Sequence, residues 1–416
     1  MGLPDDVEIA LTPSGTDAEL LAVALADRDP DRPIFNLIIG PDEVGSGTVR
    51  AASGLHYDAR VPHGGSAVQG SPVDRQLENR IQVHSVDVRD ARGLPRTPTD
   101  LDTEVQQLVS QAVADGYQVL LHAVAHSKTG VFAPRLETLQ RIQSQLSSDV
   151  TVIVDAAQGR LGSAFGTVAF ADLVRQGWII NFTGSKFFSG PPFSAALIVP
   201  RSLKVSRRTR GLPPTFGNYF SRAEMPKSWT AIRQSMDSWI NVPAIARWTA
   251  AVAEIQAFQS VAPLERAAIM QSFAHSAVEH LSARSGLSVL PAFEQQQSDW
   301  VTTQDGYAPT VISFSVQSSE SFGRKALSTI HRSLNQLEPM PIQLGQPVQI
   351  SPGNWVLRVA LGAPLLVRVA KDASLGDDLT TRLNWLDDTL RNVAQEVESL
   401  AASTLLNETD VAVIAN

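Results

Sequence analysis

The chain has 416 residues, of which 43% are hydrophobic and 18% charged, and a formal net charge of −8; this describes a globular protein with room for a large core and a smaller second one. The acidic balance, with no basic stripe, argues against nucleic acid as a partner. No apolar run approaches the roughly 18 residues of a membrane span, no signal-peptide pattern opens the chain, so a cytoplasmic location is expected, and the absence of cysteine excludes disulfides, thiolate metal sites and a cysteine nucleophile.

In chain order, residues 9–20 read as a loop entering a helix, with Ser14, Gly15 and Thr16 at its start and strong helix formers over 18–26. Free amides and the helix dipole at such a start favour an anion. A strand follows at 34–39. Gly45, Ser46 and Gly47 suggest a dinucleotide loop, but position 50 is Arg where a third glycine is required, so that reading is rejected. Residues 54–75 read as a loop carrying His56, Tyr57 and His63, and strand 81–87 and helix 102–114 come next. On a strand over 117–124, His122 and a following His126 stand about 13 Å apart at ~3.3 Å per residue, too far to share one ion; no metal site is expected. His126 and Ser127 follow the strand end, where α/β proteins place ligand contacts.

A helix over 134–146 leads to two buried strands that carry the chemistry. The first, 150–155, ends in Asp155, followed by Ala156, Ala157 and Gln158. The second, 178–182, ends in Thr183, Gly184 and Ser185, and then presents Lys186 before a Gly-Pro-Pro turn. An acid ending one strand and a lysine following another is what pyridoxal phosphate (PLP) needs, the lysine as Schiff-base partner and the carboxylate to keep the pyridine nitrogen protonated. The chain has only six lysines, which sharpens the choice of Lys186, and Phe182 and Phe187 are expected to bury it. A returning strand is expected at 193–199, an irregular stretch suited to a flexible lid or subunit contact at 205–235, and a bridging helix at 242–258. Helices at 262–283, 322–336 and 377–402 and strands near 311–316 and 356–361 complete the chain. Strands alternating with helices over the first 200 residues predict an α/β fold with a mostly parallel sheet covered on both faces, and a small α+β domain at the end.

Four segments together resemble the class V aminotransferase and cysteine desulfurase superfamily of fold-type-I PLP enzymes. They are Asp155 to Gln158, Thr183 to Lys186 with Gly190 and Pro191, Asn241 to Ile245, and Trp355 to Gly362. The resemblance spans most of the chain in the right order. It implies an aspartate aminotransferase-like fold, with a large PLP-binding domain over 1–258 and a small one over 259–416, assembled as a homodimer with active sites near the interface. It also implies Lys186 as the Schiff-base lysine and Cα proton shuttle, Asp155 on the pyridine nitrogen and Gln158 on the phenolic oxygen. Gly15, Thr16, Thr183 and Ser185 would hold the phosphate, and His126 or Ser127 would contact the ring or substrate. Arg358 would grip the substrate carboxylate in a bidentate fork.

Three departures bear on function. Ser185 stands where the family has a histidine. Trp239 and Ile240 replace the Gly-Thr whose threonine reaches the neighbouring subunit's phosphate. The loop that would supply the ring-stacking residue reads Asp42, Glu43, Val44. With no cysteine, persulfide transfer is excluded. The residues point to Cα-proton abstraction from an L-amino acid, with β-elimination from an S-substituted cysteine as the first reading. An aminotransferase, a decarboxylating or oxidatively deaminating enzyme, and a non-catalytic module with Lys186 idle are the alternatives.

Overall fold

Continuous apolar strands dominate the first two hundred residues, and in the computed structural model they assemble side by side. Residues 3–291, 299–302, 307–317, 322–338 and 341–414 are described, with side chains through 404. Strands β1 (Val7–Thr12), β2 (Ile34–Ile39), β3 (Ile81–Val86), β4 (Gln118–Ala125), β5 (Phe132–Ala133), β6 (Val150–Ala156), β7 (Ile179–Thr183) and β8 (Ala195–Pro200) make one sheet. Its order is β1-β8-β7-β6-β4-β2-β3, with β5 paired to β4. From β3 to β7 the strands run parallel; β8 and then β1 join antiparallel. Strands β2, β4, β7 and β8 are buried along their whole length, as expected of a sheet covered on both faces.

One face is covered by helix α1 (Gly15–Ala26), whose residues from Asp17 to Ala26 are all buried. Over that helix lies the 205–235 stretch, and here the expectation of a flexible lid is corrected. Phe216, Tyr219, Phe220 and Trp229 are at most 1% exposed and share a core with α1; Trp229 Nε1 donates to the buried Glu8 at 2.5 Å. The segment lacks long helices because aromatic anchoring, rather than periodic apolar patterning, fixes it. Within 54–75 the two ring residues are tied inward: His56 Nδ1 meets Tyr219 OH at 2.6 Å, and Tyr57 OH donates to Asp17 at 2.6 Å.

A second, antiparallel sheet contains β9 (Leu287–Val289), β10 (Val311–Val316), β11 (Gly345–Ser351) and β12 (Asn354–Ala360) in the order β11-β12-β10-β9. Helices Pro263–Ser282, Arg324–Leu334, Ala363–Lys371 and Leu379–Ile414 pack around it. One core runs from Val152 and Phe182 of the large sheet to Phe314 and Leu357 of the smaller. Against the helix Ala363–Lys371 packs the helix Val242–Gln259. Asn241 caps it by accepting from Ala244 N (3.1 Å), and a proline stands in its first turn. Trp248 stacks on Phe182 and Phe258 on Phe165. Strands β1, β5, β9 and β11 were not anticipated, and the last helix continues beyond 402 to Ile414. No helix among the described residues is long and apolar enough to cross a membrane.

Candidate active site

Strands β6 and β7 are adjacent and parallel, with Asp155 opposite Asn181 and Ala156 opposite Phe182. Asp155 and the Lys186 loop therefore emerge at the same end of neighbouring strands, where open α/β sheets bind ligands. The Asp155 carboxyl keeps part of its surface open while protein encloses it, and burial pushes its pKa up against the Ala157 N–H and the charge of His122. Its Oδ1 accepts from Ala157 N at 2.9 Å, and its other oxygen makes no hydrogen bond to a described residue. Nearby, His122 Nε2 lies 2.9 Å from Glu19 Oε1, out of line for a hydrogen bond.

The lysine loop is a closed ring. Gly190 N donates to Gly184 O at 2.9 Å and Gly184 N to Ser194 O at 2.8 Å. A Cβ on Gly190 would lie 2.7 Å from the Ala251 Cβ and 2.8 Å from Gly184 O, so glycine is required where loop and helix touch. Phe187 and Phe188 are buried beneath the loop, yet Lys186 itself is exposed, correcting the expectation that its aromatic neighbours bury it. Its amine makes no hydrogen bond or ion pair to a described residue; its field reaches Lys128.

The start of α1 is tied to β7, because Asn181 Nδ2 donates to Gly15 O at 2.9 Å. Ser14 caps the helix through Asp17 N (3.2 Å). Gly15 and Thr16 are half-buried at the opening turn, whose amides precede the first intrahelical bond. The buried Asp17 carboxyl turns back to Ser14 and Tyr57; burial pushes it up to about 6 despite those hydrogen bonds. Thr183 Oγ1 donates a hydrogen bond to Ala157 O at 2.5 Å. Ser185 is half-buried beside Lys186.

Across the site, His126 is buried with a left-handed φ of 54° and its ring edge-on to Phe132. Burial and then the Arg160 charge hold it well below the ordinary histidine range, so it is neutral. Ser127 Oγ does not face the cleft as a free donor: it donates to the buried Glu43 at 2.7 Å, which also accepts from Thr129 N and Oγ1 and faces Arg89. Glu43 thus welds the loop after β2 to the loop after β4. Arg358, on β12, donates from Nη1 to Lys128 O (2.9 Å) and from Nη2 to Gln346 O (3.1 Å), leaving Nε without a hydrogen bond. Burial lowers its pKa, with Glu43 opposing. Gln158 is half-buried and accepts at 3.5 Å from Arg160, a buried guanidinium two residues on.

The predicted Asp155, Gln158, Lys186, His126 and Arg358 therefore surround one locality, linked through Lys128 and Arg160. Asn181 and Arg160 were not singled out from sequence, and Glu43 was named only as part of the 42–44 loop. Among the described residues no three His, Asp or Glu side chains converge as a metal site. The residues fit PLP on an observation independent of family: an enclosed carboxyl with one free oxygen lies on the strand beside the lysine's, and an open helix start is bound to that lysine's strand.

No family model matches the chain, and no curated protein matches it. Solved structures do. An alanine–glyoxylate aminotransferase from Nostoc sp. superposes with a TM-score of 0.54 at 14% identity, over 94% of this chain and 82% of its own. A sphingosine-1-phosphate lyase from Burkholderia pseudomallei gives 0.51 at 15%, over 99% and 75%. Oryza sativa TDC, solved with PLP and tryptamine, gives 0.51 at 11%, over 96% and 71%. The chain has the fold of the fold-type-I PLP-dependent enzymes, with a large, mostly parallel sheet flanked by helices and a smaller second sheet.

Proposed function

We propose that the protein is a PLP-dependent enzyme that removes the Cα proton of an L-amino acid. The observation that carries this is the delivery of Asp155 and Lys186 to one end of adjacent parallel strands, beside the start of α1. Bound PLP would supply an electron sink for the electrons left on Cα. Asp155 would hold a proton on the pyridine nitrogen through its free oxygen, and the α1 start with Gly15, Thr16 and Ser185 would receive the phosphate. Gln158 and His126 line the same locality. Arg358 would orient the substrate carboxylate, its fixed fork setting the Cα–H bond toward Lys186. The exposed amine of Lys186 would carry the cofactor's aldehyde and then accept the Cα proton at Nζ.

For the outcome, β-elimination from an S-substituted cysteine is the first reading, supported by the desulfurase-like segments in a chain without cysteine. Transamination is the second. In this reading residues 1–258 form the cofactor-binding part and 259–416 the smaller one. A homodimer is supported by the apolar surface of Phe193, Ile240, Val242 and Ile245, each over half exposed. The test is to add PLP, reduce with borohydride and map the peptides. A pyridoxyl adduct on Lys186, absent in Lys186→Ala, is expected, and an unmodified Lys186 peptide would refute the reading. Pyruvate and thiol released from S-alkyl cysteines without added keto acid would then select the lyase; a demand for keto acid would select transamination.

A further inference from the structure

Gly159, with φ +68°, turns the chain so sharply that a Cβ there would lie 3.0 Å from the Phe188 ring. The turn sends the next side chain, Arg160, inward, where it is 4% exposed. Several other arginines meet an acid, and the enclosed Arg208 and Arg358 hydrogen-bond to backbone carbonyls at 2.9–3.3 Å. Arg89 faces Glu43, Arg80 and Arg210 share Asp27, and Arg135 pairs with Asp102. Arg160 has no acidic partner among the described residues. Its Nε has no hydrogen bond, and its Nη1 reaches only His126 Nδ1 at 3.4 Å and Gln158 Oε1 at 3.5 Å, both at the outer limit. The guanidinium lies over the Phe187 ring, 5.1 Å from its centroid, which orients the plane without cancelling the charge.

The surroundings add positive charge. Arg358 is close enough that its field, after burial, helps bring Arg160 down to about 9, which leaves it cationic at neutral pH. Tyr307 opposes this at Arg160; Lys128, beyond its burial, feels Glu43 first, then Arg358, Asp42 and Lys186, so the nearby carboxylates act on Lys128 and Arg358 and not on Arg160. A buried, unpaired cation destabilises a fold unless something supplies the opposite charge. One substrate carboxylate would satisfy Arg358, and the start of α1 would take the phosphate. Arg160 remains.

We propose that Arg160 recognises a second acidic group, and that the substrate is an α-amino acid whose side chain ends in an anion such as a carboxylate. This rests on the cofactor reading above and narrows its substrate; an S-carboxyalkyl cysteine satisfies both. Its requirement for charge is geometric: Arg160 and Arg358 are separate forks, each able to take one carboxylate.

The test is calorimetric titration of the purified protein, with and without PLP, using succinate and butyrate, which share a carbon count and differ by one carboxylate. Wild type should prefer succinate by about tenfold or more. Arg160→Met should bring succinate to the affinity of butyrate in the same variant, and Arg160→Lys should restore part of the preference. Circular dichroism and melting of each variant establish that it is folded. Equal affinities in wild type, no binding of either acid, or a preference that survives in Arg160→Met would each overturn the proposal. Borohydride labelling in the same samples separates the two readings. Labelled Lys186 without succinate preference rejects the second acid alone. Preference without labelling overturns the assignment of an amino-acid substrate.

Discussion

Asn181 Nδ2 donates a hydrogen bond of 2.9 Å to the Gly15 carbonyl, fastening the strand that ends near Lys186 to the first turn of α1. Asn181 is also the register partner of Asp155 on the neighbouring strand, so this hydrogen bond ties the helix start to the strand pair that carries Asp155 and leads to Lys186. Asn181→Leu should leave the fold intact and weaken PLP by about tenfold, read by fluorescence titration. Unchanged affinity would show that the helix start is positioned without it.

Asp155→Asn keeps the side chain's volume and removes its charge. The variant should still take up PLP but lose Cα-proton exchange by about a hundredfold or more. Deuterium incorporation into a substrate amino acid, followed by NMR in heavy water, measures this directly. Exchange near the wild-type rate would dismiss the carboxylate's role.

Gly190→Ala places a methyl group 2.7 Å from Ala251 and 2.8 Å from Gly184 O. Backbone cannot yield as a flexible side chain can, so the change should destabilise by about 1–3 kcal/mol. A lower melting temperature checks it, and an unchanged one would show that the helix Val242–Gln259 shifts freely.

Arg160→Met removes an uncompensated buried charge and should raise the melting temperature of the ligand-free protein by about 2–4 °C. The pH dependence has a definite sign. The folded protein holds this proton less tightly than the unfolded chain does, so its destabilising effect is full below about 9 and fades as pH rises toward the ordinary arginine range. The advantage of the methionine variant should shrink accordingly above pH 9.

Asp17 acts in the opposite pH region. Its carboxyl, pushed up to about 6, binds a proton more tightly in the folded state than in the unfolded one. Stability from this group is therefore full below the ordinary carboxylate range and is lost as pH rises through about 6. Asp17→Asn should flatten that part of the curve relative to wild type, as melting from pH 4 to 7 would show.

The elements that carry chemistry were legible because burial on both faces writes them as apolar runs: 150–155 and 178–182 end one residue short of the ends of β6 and β7, with Asp155 the next-to-last residue of one and Lys186 three residues past the other. The helix after Asn241 was legible from its cap and proline. Other features depend on partners far away in sequence. β1 is a short edge strand whose burial alternates, and only its antiparallel pairing with β8 defines it. Nothing local distinguishes Arg160 from a surface arginine; the positive φ of Gly159 and the Phe187 ring decide its fate. Glu43 was read only as part of the 42–44 loop, with no role of its own, because its partners Arg89, Ser127 and Thr129 lie 46, 84 and 86 residues downstream.

Two main-chain oxygens, those of Lys128 and Phe187, accept hydrogen bonds from Arg358 and from the amide of Ala363. These donors sit five residues apart on a single connected strand and helix start. A thermal displacement of that piece would carry the guanidinium and the lysine-bearing ring in the same direction, so their mutual spacing is buffered against breathing of the second sheet. Substitutions along 359–362 should therefore act at long range, altering the alignment of a bound molecule while touching none of its atoms.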